Sequence, residues 1–412
     1  MTALDSVRDR IEALLAEPDA ATAAHYPGDR AGRQPVHSVY VPADTFDADL
    51  PARWGAQALE AVERAGGIDH LLRVHALVTD PEEAATIGAL VLDKLAREPV
   101  EDLRIDFEDG YGDRGDEAED AAVAAAVAAI AEARAAGTTP PFLGIRFKCL
   151  EPETRERGLR TLAGFVTALA DRGLPDGLVL TLPKVTTVAQ VQAMVLALET
   201  LEASLGLPAG RLGFEIQVET PQSVLGPDGR SLIGPMIAAG GGRVTGMPYG
   251  TYDYSASLGI AAAYQSMEHP AADFAKQVMQ VSAAGTGVRL SDGSTNVLPV
   301  GEPAEVDAAW SLHGRLVMRS LQRGFYQGWD MHPAQLPSRY AATYAFFRRG
   351  LTDVLTRLDN YLSGTGGAVL DEPATAKAMA GFLLRGLDCG AVRAPEVPFE
   401  VDALRGLLGR TG

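Results

Sequence analysis

Eight short runs of apolar and β-branched residues, most followed by a stretch of helical periodicity, constrain this chain more than any other feature. They read HSVYVPA, DLRIDFED, FLGIRFK, GLVLTLPK, LGFEIQVET, RVTGMPYG, GVRLSDG and GFYQGWDMHP. Leu159, Leu162, Phe165, Val166 and Leu169 share one helical face after the third run, and Val188, Val191, Val195 and Leu198 share one after the fourth. Val306, Trp310, Val317 and Leu321 do the same after the seventh. Strands that are nearly continuously apolar and separated by helices pair in parallel beneath a layer of helices. Eight such units predict an α/β fold, a (β/α)8 TIM barrel over residues 36–340. A helical arm over residues 1–35 precedes it, and a helical extension over residues 341–412 follows.

A barrel of this kind builds its active site at the C-terminal ends of its strands. Polar residues gather there: Asp106, Glu108 and Asp109 on the second strand, Arg146 and Lys148 on the third, Lys184 on the fourth and Glu219 on the fifth. Asp253 follows the sixth, Asp292 the seventh and His332 the eighth. Any one of them reads equally well as a helix cap, a loop acid or a structural ion pair. Convergence from seven strands favours a site.

Glu219 and Asp253, from adjacent strands and with no His or Cys beside them, suit a hard divalent cation that prefers oxygen ligands and keeps several waters, Mg²⁺ or alternatively Mn²⁺. Such an ion polarises a carbonyl and stabilises the enolate beside it. Arg146 offers a planar fork for a substrate carboxylate. A turn at Gly250 could aim backbone N–H groups at an anion, with Thr251 and Tyr252 alongside. The competing reading of the acid pair is a salt-bridged core with Lys184 or Arg243. For Tyr252 and Tyr254 it is simple packing, and for His332, followed by proline, a structural turn.

Composition excludes several partners. A net charge of −18 without a Lys/Arg cluster argues against nucleic acid and anionic membranes. No apolar run approaches the roughly 20 residues of a membrane span, and the charged start MTALDSVRDRIEALLAEP does not read as a signal peptide, so a cytoplasmic location is expected. Cys149 and Cys389 form no Cys-x-x-Cys pair and are expected to be reduced thiols.

Taken in order, these motifs resemble the HpcH/HpaI aldolase and citrate lyase beta-subunit superfamily over about residues 36–390. SVYVPAD is similar to its first strand, DFEDG to its second-strand acidic motif, GIRFK to its substrate-arginine strand and LPKV to its fourth. QVETPQSVLG and GTYDYSASLG are similar to its two metal-ligand motifs, and RLSDGS and MHPAQ to its last two strands. The resemblance implies Glu219 and Asp253 as ligands of Mg²⁺. It implies Arg146 and the backbone from Gly250 through Thr251 and Tyr252 to Asp253 as substrate contacts; from their place at the strand ends, Lys184 is a further candidate contact and Asp106 and Glu108 are expected to orient waters or Arg146.

Asp371, in VLDEP, matches the acid/base aspartate that many acyl-CoA lyases and malate synthase-like members draw from a neighbouring subunit; it also reads as a helix cap. Asp109 is a less favoured acid/base. The implied activity is that of a metal-dependent carbon–carbon lyase or Claisen/aldol-type synthase. Its substrate would be a small anionic 2-oxo acid or a 3-hydroxyacyl-CoA, malyl-CoA-like ester, and the assembly a homo-oligomer, a trimer or hexamer. The alternatives are an HpaI-like 2-oxo acid aldolase that needs no coenzyme A, and a barrel that binds a metabolite without turning it over.

Departures from the family pattern bear on these choices. Asp109 follows Glu108 where HpaI-like aldolases have a histidine. Arg53 is the nearest cation after the first strand, where citrate-lyase-like members commonly place one near the coenzyme A phosphates. Thr186 replaces an acid after Pro-Lys-Val, and about residues 68–100 are inserted before the second strand.

Overall fold

The computed structural model describes residues 4, 7–30, 32–364 and 371–409. Its eight strands are β1 (His37–Pro42), β2 (Asp102–Asp106), β3 (Phe142–Arg146), β4 (Leu178–Leu182), β5 (Phe214–Ile216), β6 (Val244–Pro248), β7 (Arg289–Ser291) and β8 (Gly328–Asp330). From β1 to β7 each pairs in parallel with its sequence neighbours, and β1 also pairs with β8. Ser291 bridges Gln327, and the Asp292 amide donates to the Gln327 carbonyl at 2.8 Å, which closes the ring between β7 and β8. The predicted barrel is therefore the observed fold.

Helices cover the outside. Val188–Leu205 shows why they form where they do: Thr187 and Gln190 make a capping box at its start, and Gly206, at φ 65°, ends it in the left-handed conformation that glycine tolerates. The insertion before β2 is helical, comprising Ile68–His75 and Pro81–Arg97, and the helix Leu50–Arg64 precedes it. Both cysteines are free and buried. Among the described residues, no helix is long and apolar enough to cross a membrane.

The strands are less uniformly apolar than the sequence reading assumed. Leu103 and Ile105 of β2, Leu180 and Leu182 of β4, and Phe214 and Ile216 of β5 are fully buried in the hydrophobic core. Alternate residues carry charge. Arg104 on β2 donates to Thr181 Oγ1 on β4 at 3.2 Å and to Glu215 Oε2 on β5 at 3.0 Å, strands that β2 does not pair with. Those bonds can only cross the barrel axis. The period of two thus sends apolar side chains to the helices and polar ones inward. Arg104 is offset by Glu215 and by Asp102, as a charge removed from water must be.

Both ends of the chain are helical. The helix Arg8–His25 buries none of its residues. The stretch YAATYAFFRRG, where the C-terminal extension begins, lies inside the single helix Leu336–Ser363 and packs on its own chain. Tyr340, Tyr344 and Phe347 are buried, with the Tyr340 hydroxyl donating to the Pro99 carbonyl at 3.0 Å and the Tyr344 hydroxyl to the Cys389 carbonyl at 3.0 Å. Nothing breaks the helix after β8, so its apolar first turns dock directly against the insertion.

Candidate active site

The strand ends bring together most of the residues expected there. Arg146, the last residue of β3, is the register partner of Asp106, the last of β2. Its Nε and Nη2 donate to the two Asp106 oxygens at 2.7 and 2.6 Å, and its Nη1 lies 3.5 Å from Glu108 Oε2. Asp106 also accepts the amides of Glu108 and Gly110. Burial would lower the Arg146 pKa, but the Asp106 charge and its hydrogen bonds hold the guanidinium well above its ordinary value. The Tyr40 and Trp329 rings lie 4.9 and 5.7 Å from the guanidinium carbon. Arg146 is therefore not a free fork; its open side faces Glu108.

Lys184 takes a left-handed backbone, φ 51°, which is uncommon outside glycine. This turn lets one residue serve the cluster twice. Its amide donates to Glu219 Oε1 at 2.8 Å, while its ammonium lies 2.7 Å from Glu108 Oε1, 2.7 Å from Asp109 Oδ2 and 3.3 Å from Asp253 Oδ2. Burial would lower the Lys184 pKa, but the Glu219 and Glu108 charges raise it overall. Burial raises the Glu108 pKa, with Arg146 and Lys184 opposing. Burial would also raise Asp109, but the Lys184 hydrogen bond and charge bring it down.

Glu219 is almost entirely buried, and burial pushes its carboxyl up to about 8, against the pull of Lys184 and Arg146 and helped by Asp253 and Glu108. Gln217 Nε2 donates to Glu219 Oε2 at 2.5 Å. Asp253 projects from the short helix Thr251–Ser257 with its side chain 44 % exposed. Five carboxylates, Asp106, Glu108, Asp109, Glu219 and Asp253, thus face two cations, Arg146 and Lys184.

That imbalance is the test of fit for a divalent cation. Among the described residues, no three His, Cys, Asp or Glu side chains form a ready cage. Glu219 and Asp253 could offer two carboxylate ligands, with water completing the shell as a hard cation such as Mg²⁺ allows. The oxygen donors fit such an ion, and the Lys184 ammonium lies 3.3 Å from Asp253 Oδ2, one of them.

Several expected contacts serve the fold. Gly250 supplies no anion donor, because its amide donates to the Val218 carbonyl at 2.9 Å. A Cβ there would lie 2.5 Å from Glu219 Cβ and 2.7 Å from its Oε2, so glycine is required by the approach of Glu219. Thr251 Oγ1 accepts the Ser294 amide at 3.2 Å, and the Tyr252 hydroxyl accepts the Asn296 amide at 2.5 Å, so both hold the loop after β7. Asp292 pairs with Lys276, and His332 accepts the Ala334 amide as a helix cap.

Asp371 is not brought to this mouth within the chain. It pairs with Arg357 at 2.5 Å, which holds its carboxyl below its ordinary pKa. Arg357 lies 21 residues beyond Leu336, where the helix begins, and so roughly 30 Å along its axis. No motif encodes where a segment lands after so long a helix.

The sequence reading missed Tyr40, Trp329 and Gln217. Gln217 had a signal: it lies two residues before Glu219 and so shares its face of the strand.

The eight-stranded parallel barrel is a fold shared with several solved enzymes. A citrate lyase from Burkholderia xenovorans LB400 superposes with a TM-score of 0.61 at 18 % identity, covering 92 % of this chain and 98 % of its own. The native malate synthase of Haloferax volcanii gives 0.51 at 14 % identity, covering 88 % and 94 %. The same enzyme in complex with magnesium and glyoxylate gives 0.51 at 13 %, covering 87 % and 99 %. The expected likeness to citrate lyase thus holds at the level of the fold. By sequence, the chain belongs to the family described as Domain of unknown function (DUF6986), whose model matches residues 15–409. No curated protein matches the chain.

Proposed function

We propose that this protein is a Mg²⁺-dependent enzyme that cleaves or forms a carbon–carbon bond in a small anionic substrate, a 2-oxo acid or a malyl-CoA-like 3-hydroxyacyl ester. The observation that carries the reading is the buried Glu219 beside Asp253, in a mouth where carboxylates outnumber cations. The Haloferax malate synthase of the same fold, in complex with magnesium and glyoxylate, supports it.

Glu219 and Asp253 would hold the cation, with Lys184 displaced toward Glu108 and Asp109. Bound there, a divalent cation supplies Lewis acidity that polarises a substrate carbonyl and lowers the energy of the adjacent enolate. The chain's own groups do the rest. Asp106 fixes Arg146, whose Nη1 presents positive charge to a substrate carboxylate. Tyr40 and Trp329 keep water from one face of that guanidinium. Asp109, its side chain 55 % exposed, is the acid/base candidate of the mouth; Asp371 would serve only from a second subunit of a homo-oligomer.

Mg²⁺ should raise the melting temperature of the parent and not of Glu219→Gln or Asp253→Asn, and turnover of a 2-oxo acid or acyl-CoA panel should vanish in both variants. A parent indifferent to Mg²⁺ and inert across the panel would overturn the proposal. It would favour the second reading, a metabolite-binding barrel, which the Lys184 bonds to Glu108, Asp109 and Asp253 support. Stabilisation by coenzyme A thioesters but not by pyruvate or oxaloacetate would exclude the free-acid aldolase.

A further inference from the structure

The helix Arg8–His25 lies open, with all 18 of its residues exposed. Its base is fixed. The Gly28 amide donates to the Gly285 carbonyl at 2.8 Å, and Arg30 Nη2 to the Gly242 carbonyl at 2.9 Å. Gly285 and Gly242 precede β7 and β6, so the arm leaves the barrel from the face opposite the mouth. From there about 27 Å of helix runs out uncovered. A helix of this length is marginal by itself in water, and packing of an apolar face normally holds it.

Such a face is present. Ile11, Leu14 and Leu15 are 45, 74 and 45 % exposed. Leu4, Val7, Ile11, Leu14, Pro18 and Ala21 follow one another at alternating intervals of three and four residues, the repeat that lines up side chains as a seam between two helices. The seam matches itself when two copies run antiparallel. Ile11 then meets the partner's Leu14, and the smaller Pro18 and Ala21 meet the partner's Val7 and Leu4. Charge selects this direction. Arg10 and Glu17, both exposed, lie seven residues apart on the same flank of the seam. In an antiparallel pair Arg10 faces the partner's Glu17, and Glu17 the partner's Arg10. In a parallel pair Arg10 faces the partner's Leu15 and finds no counter-charge.

We propose that this arm is a self-association surface, through which two copies of the chain pair by antiparallel Arg8–His25 helices about a two-fold axis. The contact is made from the face away from the mouth, so it leaves the candidate active site open and stands independently of the cation reading.

The test is molar mass by analytical ultracentrifugation at about 100 μM, a high concentration because two short helices bury less than a standard interface. The parent should show twice the mass of Leu14→Glu, which puts a charge at the centre of the seam. Because Leu14 is exposed, this variant should keep the parent's circular dichroism and barrel melting temperature. Arg10→Glu and Glu17→Arg should each lower the mass, since like charges then face each other, and an equimolar mixture of the two should restore it. Only direct pairing of these positions across two copies gives that restoration. Equal masses for the parent and Leu14→Glu overturn the inference, whether the chain is then a monomer or assembles through another face. A mass halved in Leu14→Glu but not restored in the mixture also overturns it, by placing the arm against some other surface of the second copy.

Discussion

Arg146 grips Asp106 through both oxygens, at 2.7 and 2.6 Å, across the neighbouring strands β3 and β2. The arginine that the sequence offered to a substrate is thus already paired with a carboxylate of the chain. What remains for a ligand is Nη1, on the side facing Glu108. The pair makes Arg146 a fixed charge, and its rigidity comes from Asp106 being held in turn by two backbone amides.

Asp106→Asn should destabilise the fold by about 3 kcal/mol, because it leaves a buried guanidinium without its counter-charge. Urea unfolding measures this directly. A loss below about 1 kcal/mol would mean that Glu108 takes over the pairing.

Gly250→Ala forces a Cβ against Glu219 where the gap is 2.5 Å. Moving Glu219 or the start of the helix Thr251–Ser257 should cost about 1–3 kcal/mol and abolish the Mg²⁺-dependent rise in melting temperature. A variant that responds to Mg²⁺ like the parent would show that the acid pair does not depend on this approach.

Burial lifts Glu219 from its ordinary value of 4.5 to about 8. Between those values the folded chain keeps a proton that the unfolded chain has released, so stability is lost as pH rises through that window. In melts with a chelator, Glu219→Gln should lack this loss. A cation needs the ionised carboxylate, so Mg²⁺ affinity should climb about tenfold per pH unit up to about pH 8 and level off above it. Parallel pH profiles for parent and variant would contradict the assignment.

Glu202 moves the opposite way. Burial would raise its pKa, but hydrogen bonds from Arg243 and the Leu212 and Gly210 amides bring it down to about 2, from 4.5. This stability is present above pH 4.5 and is lost as pH falls through 2. Glu202→Gln should cost about 2–3 kcal/mol at neutral pH and flatten acid unfolding in that window, as followed by circular dichroism.

The eight strands and the gathering of Asp106, Arg146 and Glu219 at their C-terminal ends were legible in the sequence, because strand-to-helix alternation is local. Side-chain partners across the barrel were not. Lys184 reaches three acids from two other strand ends through a left-handed turn that its residue type does not announce. Gly250 is matched to Glu219, 31 residues earlier, by a contact that only the packed strands create. Asp371 meets Arg357 because a 28-residue helix carries the chain away from the mouth before it returns. Local pattern determined which residues line the mouth. Long-range packing alone decided which of them pair with each other and which are left for a ligand, since that depends on distances between elements far apart in the chain.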